Sequence, residues 1–283
     1  MKKFLVFALL TMLSIGCKNA PKYAEIKPTK EITNQMYFAE KTIVSAHRAG
    51  KGIKGYPENC LETIEFLSKK GIHSFEIDIF ESADGQLFLM HDDKLGRTCT
   101  GSGMAIEKTS DELLKENLID DFGNVTSFKM PLLKDVLAWC YKNKGYLMLD
   151  FKKGVSYQKV AELVRAENMQ NQVVLISYNT QQAKKLHEVA PEMLISVTIR
   201  NEEELNRTLE AGIPQEKILA FTGIKLSDKS LYEKLASKKI PSILGTLGNL
   251  DKRAESKGNH LYKEWSALGI QVFSTDRPLD VHL

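Results

Sequence analysis

The sequence has few cysteines, little excess charge and no break in composition after its first forty residues. Its 283 residues include only four cysteines, Cys17, Cys60, Cys99 and Cys140, whose spacing fits neither a disulfide framework nor a common metal motif. The formal net charge of +3 argues against a nucleic-acid partner, because nucleic acids bind to strongly basic surfaces. No low-complexity tract interrupts residues 41–283, so we expect a single domain there and structural roles for the last three cysteines.

The first residues have the pattern of a bacterial lipoprotein signal. Two lysines precede an apolar run that ends at Ile15 and is shorter than the ~20 apolar residues of a membrane-spanning helix. A small residue then precedes Cys17, as at a lipoprotein cleavage site. We therefore expect residues 1–16 to be a signal peptide, Cys17 to be lipidated and residues 17–40 to form a tether without a core. The protein would be exported and anchored to the bacterial cell envelope, facing the periplasm or the cell surface; an ordinary secretory signal is the alternative.

From residue 41, short apolar or β-branched runs alternate with amphipathic stretches, which is typical of parallel strands joined by helices. Strands are predicted at residues 42–47, 74–80, 86–91, 145–151, 173–177, 194–198, 217–221, 241–245 and 270–274. Helices are predicted at residues 59–70, 132–143, 156–167, 180–189, 201–211, 228–237 and 257–268. A segment of this size suits a (β/α)8 TIM barrel, which typically has ~250 residues.

Nine predicted strands are one more than a closed eight-stranded barrel holds. The Asp-Gly pair at residues 84–85 is a hairpin-turn signal, so residues 86–91 are expected to return antiparallel to residues 74–80. A two-residue loop at this pair would place Asp78 directly opposite His91. The sequence therefore predicts that a carboxylate and a histidine share one face, in a register that a slip of one residue would undo.

Ionisable residues cluster at the predicted strand ends, where barrel active sites lie. Period-2 alternation puts Glu76 and Asp78 on one face, and likewise Asp150 and Lys152. Three carboxylates that converge need a cation, and an all-oxygen set favours a hard divalent ion. The sequence therefore predicts one Ca2+ or Mg2+ ion held by Glu76, Asp78 and Asp150.

Two histidines and two further cations complete this set. His47 and His91 can supply the base and the acid that phosphodiester cleavage requires. Arg48 and Lys152 add fixed positive charge for a phosphate. A purely structural explanation of the whole set would bury several charges without compensation. We therefore predict catalytic roles for the two histidines and phosphate-binding roles for the two cations.

The order and spacing of these residues resemble the glycerophosphodiester phosphodiesterase family. The resemblance is carried by His47-Arg48-Ala49-Gly50, Pro57-Glu58-Asn59, Glu76-Ile77-Asp78, Asp84-Gly85 and His91-Asp92, with weaker matches at residues 131–137, 149–152 and 274–278. It implies a TIM barrel with a small insertion after the third strand, at residues 97–130. It also implies hydrolysis of small glycerophosphodiesters to sn-glycerol 3-phosphate and an alcohol, by the residues in the roles given above. Glu58 and Asn59 match family positions that support the site.

The sequence departs from the family at two positions. Asp150 stands where the family usually has Glu, and Gly245-Thr246 stands where many relatives have Trp-Thr. The missing indole would remove one aromatic wall of the pocket. Two alternatives therefore stay open: a lysophospholipid or glycerophosphoinositol phosphodiesterase, and a lipoprotein that binds phosphorylated ligands without turnover. An apolar groove beside the barrel mouth would favour a lipid substrate.

Overall fold

The computed structural model describes Tyr23, Ala24, Ile26 and residues 33–283 of the chain. The predicted signal peptide and the predicted lipidation site at Cys17 lie outside these residues. Among the described residues, no helix combines the length and the apolar composition that crossing a membrane requires. Cys60, Cys99 and Cys140 are buried and free, as their structural interpretation predicts.

Eleven strands and nine α-helices form this part of the chain. The strands are β1 (Ile43–Ala46), β2 (Ser74–Glu81), β3 (Leu87–Leu89), β4 (Asn117–Ile119), β5 (Val125–Lys129), β6 (Tyr146–Phe151), β7 (Val173–Ser177), β8 (Leu194–Thr198), β9 (Ile218–Phe221), β10 (Ser242–Gly245) and β11 (Val272–Thr275). The helices are α1 (Leu61–Lys69), α2 (Ser110–Leu113), α3 (Leu133–Asn143), α4 (Tyr157–Ala166), α5 (Thr180–Val189), α6 (Glu202–Glu210), α7 (Lys229–Ser237), α8 (Asn249–Lys257) and α9 (His260–Ser266).

Eight parallel strands close into a barrel in the order β1, β2, β6, β7, β8, β9, β10 and β11. β1 pairs with both β2 and β11, and these two pairings close the sheet. The predicted (β/α)8 barrel is therefore confirmed. The predicted insertion, residues 97–130, contains α2 and the two-stranded sheet of β4 and β5. The sequence did not predict these elements or α8, which has few apolar residues to mark a helical face.

Strand alternation separates an apolar layer under the helices from the barrel lumen. On β2, Phe75, Ile77 and Ile79 pack into the helix-facing core, which turns Glu76 and Asp78 toward the lumen. The amino-terminal part of the lumen is apolar and contains Ile43, Tyr146, Met148, Val174, Leu194, Leu219, Ile243 and Val272. The ionisable side chains are therefore confined to the carboxyl-terminal part, which we call the barrel mouth.

Residues upstream of β1 close the amino-terminal end of the barrel. Ile26, Met36 and Tyr37 are buried in the same apolar cluster as the strand residues of the lumen. The hydroxyl of Tyr146 donates a hydrogen bond to the carbonyl of Ile26 at 3.3 Å. The expectation that residues 17–40 contribute no core is therefore wrong for the described part of that segment. An uncovered barrel end would leave apolar side chains in water, and this segment covers them.

The β2–β3 hairpin confirms the predicted antiparallel return, but the predicted register is wrong by one residue. The amide of Met90 donates to the carbonyl of Asp78 at 3.0 Å, so Asp78 lies opposite Met90 instead of His91. The loop has three residues where the prediction assumed two, since the amide of Ser82 bonds to the carbonyl of Gln86 at 2.9 Å. His91 therefore follows the end of β3, and it reaches the barrel mouth from a loop.

Tyr37→Ala should lower the free energy of unfolding by about 3–5 kcal/mol, the usual cost of truncating a large buried aromatic side chain. Tyr37 is 1% exposed in the cluster that closes the barrel. Tyr141→Ala is the matched control, because Tyr141 lies on α3 and is 54% exposed; it should change stability by about 0.5 kcal/mol or less. Urea unfolding measures both, and equal effects would contradict a structural role for the upstream segment.

Candidate active site

Three buried carboxylates meet in the lumen at the barrel mouth. β2 supplies Glu76 and Asp78, and β6 supplies Asp150, which is the direct neighbour of Asp78 in the sheet register. One carboxylate oxygen from each residue lies within 4.8 Å of the other two. We call these three residues the carboxylate cluster. The structure thus brings together the three side chains that strand alternation predicts on one face.

Lys152 is the nearest cation to the cluster. Its Nζ lies 2.5 Å from Oδ1 of Asp78 and 2.9 Å from Oδ2 of Asp150. Burial disfavours the charged form of Asp78, but the ammonium of Lys152, the hydrogen bond from Asn59 and the charge of His91 together outweigh burial and lower the pKa of Asp78. For Glu76, burial and the charge of Asp78 raise the pKa to about 8. The ammonium of Lys152 therefore offsets the repulsion among the carboxylates at Asp78 but not at Glu76.

The loops after β1 and before α1 hold two of these carboxylates in place. Arg48 has a φ of 51°, and its amide donates to Oε2 of Glu76 at 2.8 Å. Asn59, also at a φ of 51°, donates from Nδ2 to Oδ2 of Asp78 at 2.7 Å and accepts from the amide of Asp78 at 2.9 Å. Left-handed backbone is uncommon at non-glycine residues. At both Arg48 and Asn59 this backbone conformation accompanies a hydrogen bond to the carboxylate cluster. Asn59 therefore lies where it can hold Asp78 in place.

His47 has a carboxylate partner at the end of the last barrel strand. Its Nδ1 lies 2.6 Å from Oδ1 of Asp276, and its Nε2 lies 3.9 Å from Oε2 of Glu76. Burial lowers the pKa of His47, but the hydrogen bond to Asp276 and the two carboxylate charges outweigh burial, so that its pKa is raised. Asp276 is held in turn by Asp251, which accepts its amide at 2.8 Å and the hydroxyl of Tyr262 at 2.8 Å.

His91 has a carboxylate partner of its own. Its Nδ1 lies 2.7 Å from Oδ1 of Asp92, and its charge contributes to the lowered pKa of Asp78. Nε of Arg97 lies 2.5 Å from Oδ2 of Asp92, and Nη2 of Arg97 lies 2.7 Å from Oε1 of Glu58. Glu58 therefore anchors the start of the insertion beside the histidine, which is a supporting position rather than a contact with the carboxylate cluster.

The residues present fit a divalent cation. The carboxylate cluster offers only oxygen ligands, and Oδ1 of Asp150 is buried with no hydrogen-bond partner among the described residues. Such an unpaired oxygen beside two further carboxylates suits a hard ion such as Ca2+ or Mg2+. The guanidinium Nε of Arg48 is also buried without a partner in this part of the chain, 4.0 Å from Oδ2 of Asp78. A donor is thus available for an anionic ligand beside the cluster.

Several residues around the site received no role from the sequence. Asp276 directly follows β11 and Asp92 directly follows His91, so the strand-end pattern could have indicated both. Tyr178 follows β7 in the same way, and burial together with the charge of Asp150 raises its pKa. Nothing in the local sequence indicates Arg97, because its position depends on how the insertion packs.

Comparison with known proteins gives a consistent assignment. A profile of the glycerophosphoryl diester phosphodiesterase family matches residues 47–273. A glycerophosphodiester phosphodiesterase of Bacillus altitudinis is 26% identical over 163 residues, which are 55% of this chain and 66% of that protein. The chain spans 58–66% of the length of three curated relatives that it matches.

Solved structures share the fold over nearly the whole described chain. A glycerophosphoryl diester phosphodiesterase from Parabacteroides distasonis superposes with a TM-score of 0.82 at 27% identity, covering 92% of each chain. An Oleispira antarctica phosphodiesterase, solved in complex with the product sn-glycerol-3-phosphate, has a TM-score of 0.67 at 17% identity and covers 85% of this chain and 95% of its own. Because the family profile extends over most of the sequence, this chain belongs to the glycerophosphoryl diester phosphodiesterase family.

Proposed function

We propose that the protein is a phosphoric diester hydrolase that converts glycerophosphodiesters into sn-glycerol 3-phosphate and an alcohol. The observation that carries this proposal is the convergence of the carboxylate cluster with His47 and His91, each of which has a carboxylate partner. Family membership and the product complex of the Oleispira antarctica protein support the reaction class. A protein that only binds phosphorylated ligands would need no acid–base pair.

Glu76, Asp78 and Asp150 are the proposed ligands of one divalent cation, Ca2+ or Mg2+. When bound, such an ion supplies Lewis-acid polarisation of a non-bridging phosphate oxygen. Arg48 and Lys152 add fixed positive charge, which binds the phosphate and favours the more negative transition state. Asp150 is shorter by one methylene than the glutamate usual at this position, and its Oδ1 is buried without a hydrogen-bond partner among the described residues.

The two histidines divide the proton transfers. One imidazole accepts the proton of the attacking hydroxyl as the new bond to phosphorus forms, and the other gives a proton to the alcohol oxygen as the old bond breaks. Asp276 and Asp92 hold Nδ1 of His47 and His91 respectively. This arrangement leaves Nε2 of each ring for the substrate. Water and a hydroxyl of the substrate's own glycerol both fit these transfers as nucleophile. The glycerol hydroxyl would give a cyclic phosphate, which water then opens to sn-glycerol 3-phosphate with the proton transfers of the two imidazoles reversed.

A lysophospholipid is the second candidate substrate. Four large apolar side chains of the insertion are exposed, Ile106, Leu114, Phe122 and Val125. Exposed apolar residues concentrated in one segment beside an active site suit contact with an acyl chain. This alternative keeps the same reacting groups and changes only the substituent on glycerol.

The proposed location is the bacterial cell envelope, to which a lipid on Cys17 would anchor the exported protein. Support for this proposal comes from the sequence of residues 1–17 alone, with its basic start, short apolar run and terminal cysteine. Mass spectrometry of the protein from membranes tests it, because a diacylated Cys17 and the loss of residues 1–16 change the mass in a defined way.

The protein should release sn-glycerol 3-phosphate from glycerophosphocholine, glycerophosphoethanolamine or glycerophosphoinositol when Ca2+ or Mg2+ is present, and EDTA should abolish the release. His47→Ala and His91→Ala should each lower kcat by a factor of about 100 to 10,000, the usual contribution of acid–base catalysis. Their melting temperatures should stay close to that of the unchanged protein. Unchanged turnover in both variants would contradict the mechanism, and turnover of lysophosphatidylcholine alone would favour the lipid substrate.

Ca2+ or Mg2+ should raise the melting temperature, because an ion that binds only the folded state stabilises it by about 2.7 kcal/mol at one hundred times its Kd. Asp150→Asn keeps the shape of the side chain but removes its charge, so the shift should become much smaller. Asp135→Asn, on an exposed position of α3, is the control and should retain the full shift. Differential scanning calorimetry measures the effect, and an equal shift in both variants would exclude Asp150 as a ligand.

Asp276→Asn should move one limb of the pH profile of kcat/KM to lower pH. Burial lowers the pKa of His47 and the Asp276 carboxylate raises it, so a neutral amide at this position lowers that pKa. The acidic limb moves if His47 is the base, and the alkaline limb moves if it is the acid. Asp280→Asn removes a nearby carboxylate that pairs with Arg277 and should leave the profile in place. Identical profiles for both variants would contradict the coupling.

A further inference from the structure

Two cavities lie at the barrel mouth, one lined by Tyr178 and the other by Asp276, the partner of His47. The first has a volume of about 580 Å³ and lies over the carboxyl-terminal ends of β7, β8 and β9; we call it the β7–β9 cavity. The second, of about 520 Å³, lies beside Asp276, between the end of β11 and the insertion. A phosphodiester bound at the cluster has two arms, and these two cavities are candidate sites for them.

The β7–β9 cavity is lined by cations and by no acidic side chain. Arg200 and Lys225 line it together with Tyr178 and apolar residues. Nη2 of Arg200 lies 2.5 Å from Oε1 of Glu204, so Arg200 is ion-paired. Lys225, in contrast, forms no ion pair with any residue that the structure describes. The second cavity is different, because carboxylates and cations line it together. Of these two cavities, the β7–β9 cavity is therefore the one whose charged lining has a single sign.

Gly245 shapes one wall of this cavity. A Cβ at Gly245 would lie 3.0 Å from Cγ2 of Ile224 and 3.2 Å from the ring of Phe221. The absence of a side chain on β10 thus leaves room for these two residues to line the cavity. The aromatic wall expected to be missing is supplied by β9, and the lining of this cavity depends on residues 221–225.

Tyr178 connects the β7–β9 cavity to the carboxylate cluster. It lines the cavity and directly follows β7, the neighbour of the strand that carries Asp150. Tyr178 continues the lumen-facing positions of β7, Val174 and Ile176. The β6–β7 register, continued beyond the strands, places it next to Lys152, two residues past Asp150. A substituent on the phosphate that extends past Tyr178 therefore enters the cavity.

We infer that the β7–β9 cavity binds the leaving alcohol and selects alcohols that carry an anionic group of their own, a carboxylate or a second phosphate. The inference rests on the proposed phosphodiesterase function and names its substrate class. Lys225, whose charge no described carboxylate balances, attracts such a group, whereas an ammonium group would meet a like charge. Phe221 and Ile224 contact the carbon atoms between the two charged ends. Glycerol, which is neutral and polar, binds in the second cavity.

Three diesters of sn-glycerol 3-phosphate, with ethanolamine, 1-propanol and 3-hydroxypropanoate, test the inference on the full chain with Mg2+ or Ca2+. Their alcohols are similar in size and differ in charge. The value of kcat/KM should be highest for the hydroxypropanoate diester and lowest for the ethanolamine diester. Lys225→Gln should lower the ratio of hydroxypropanoate to propanol turnover about fivefold, the effect expected for an exposed ion pair.

Lys252→Gln is the matched control, because it removes the same charge from the lining of the second cavity. It should keep the ratio of the unchanged protein, which separates contact in the β7–β9 cavity from general attraction to a positive mouth. Equal kcat/KM for the three diesters, a preference for ethanolamine, or the same loss in both variants would overturn the inference. Absence of turnover with all three diesters would instead overturn the proposed function, and the inference with it.

Discussion

The burial of three carboxylates within 4.8 Å of one another is the constraint on which the rest of the site depends. Buried carboxylates repel one another and take up protons unless donors and cations surround them. Lys152 supplies an ammonium to two of them, and the amide of Arg48 and the side chain of Asn59 supply hydrogen bonds. The left-handed backbone at these last two residues persists because the surrounding contacts hold it, as strained conformations at functional sites generally require.

The apolar packing that stabilises the barrel and the charged residues of the candidate active site occupy different parts of the molecule. Apolar side chains fill the amino-terminal part of the lumen and the layer beneath the helices, so that hydrophobic burial is concentrated away from the charged residues. Glu76, Asp78 and Asp150 at the mouth therefore need not contribute to the stability of the fold. His47, which follows β1, and His91, which follows β3, lie beside this group. Each ring is oriented by a partly exposed carboxylate, Asp276 for His47 and Asp92 for His91.

Sequence patterns predicted the barrel and the carboxylate cluster because both depend on local periodicity. Alternation along β2 and β6 determines which side chains face the lumen, and parallel register makes Asp78 and Asp150 neighbours. The predicted register of the β2–β3 hairpin was wrong because the loop has one residue more than predicted. The sequence around Asp84 and Gly85 fits either loop length. Partners such as Arg97 and Asp251 depend on packing between distant segments, and no local pattern encodes that packing.

The upstream segment that closes the barrel also determines which end of the barrel lies nearer to Cys17. Tyr23 lies close to Gly71, in the loop that leads into the amino-terminal end of β2, and Ile26 packs into the closed end of the lumen. An attachment at Cys17 could extend only about 20 Å from Tyr23, since an extended chain spans about 3.4 Å per residue. A bilayer holding that cysteine would lie beneath the closed pole, and the mouth would open toward the surrounding solution. In that orientation the barrel would sample dissolved molecules more readily than lipids of its own membrane.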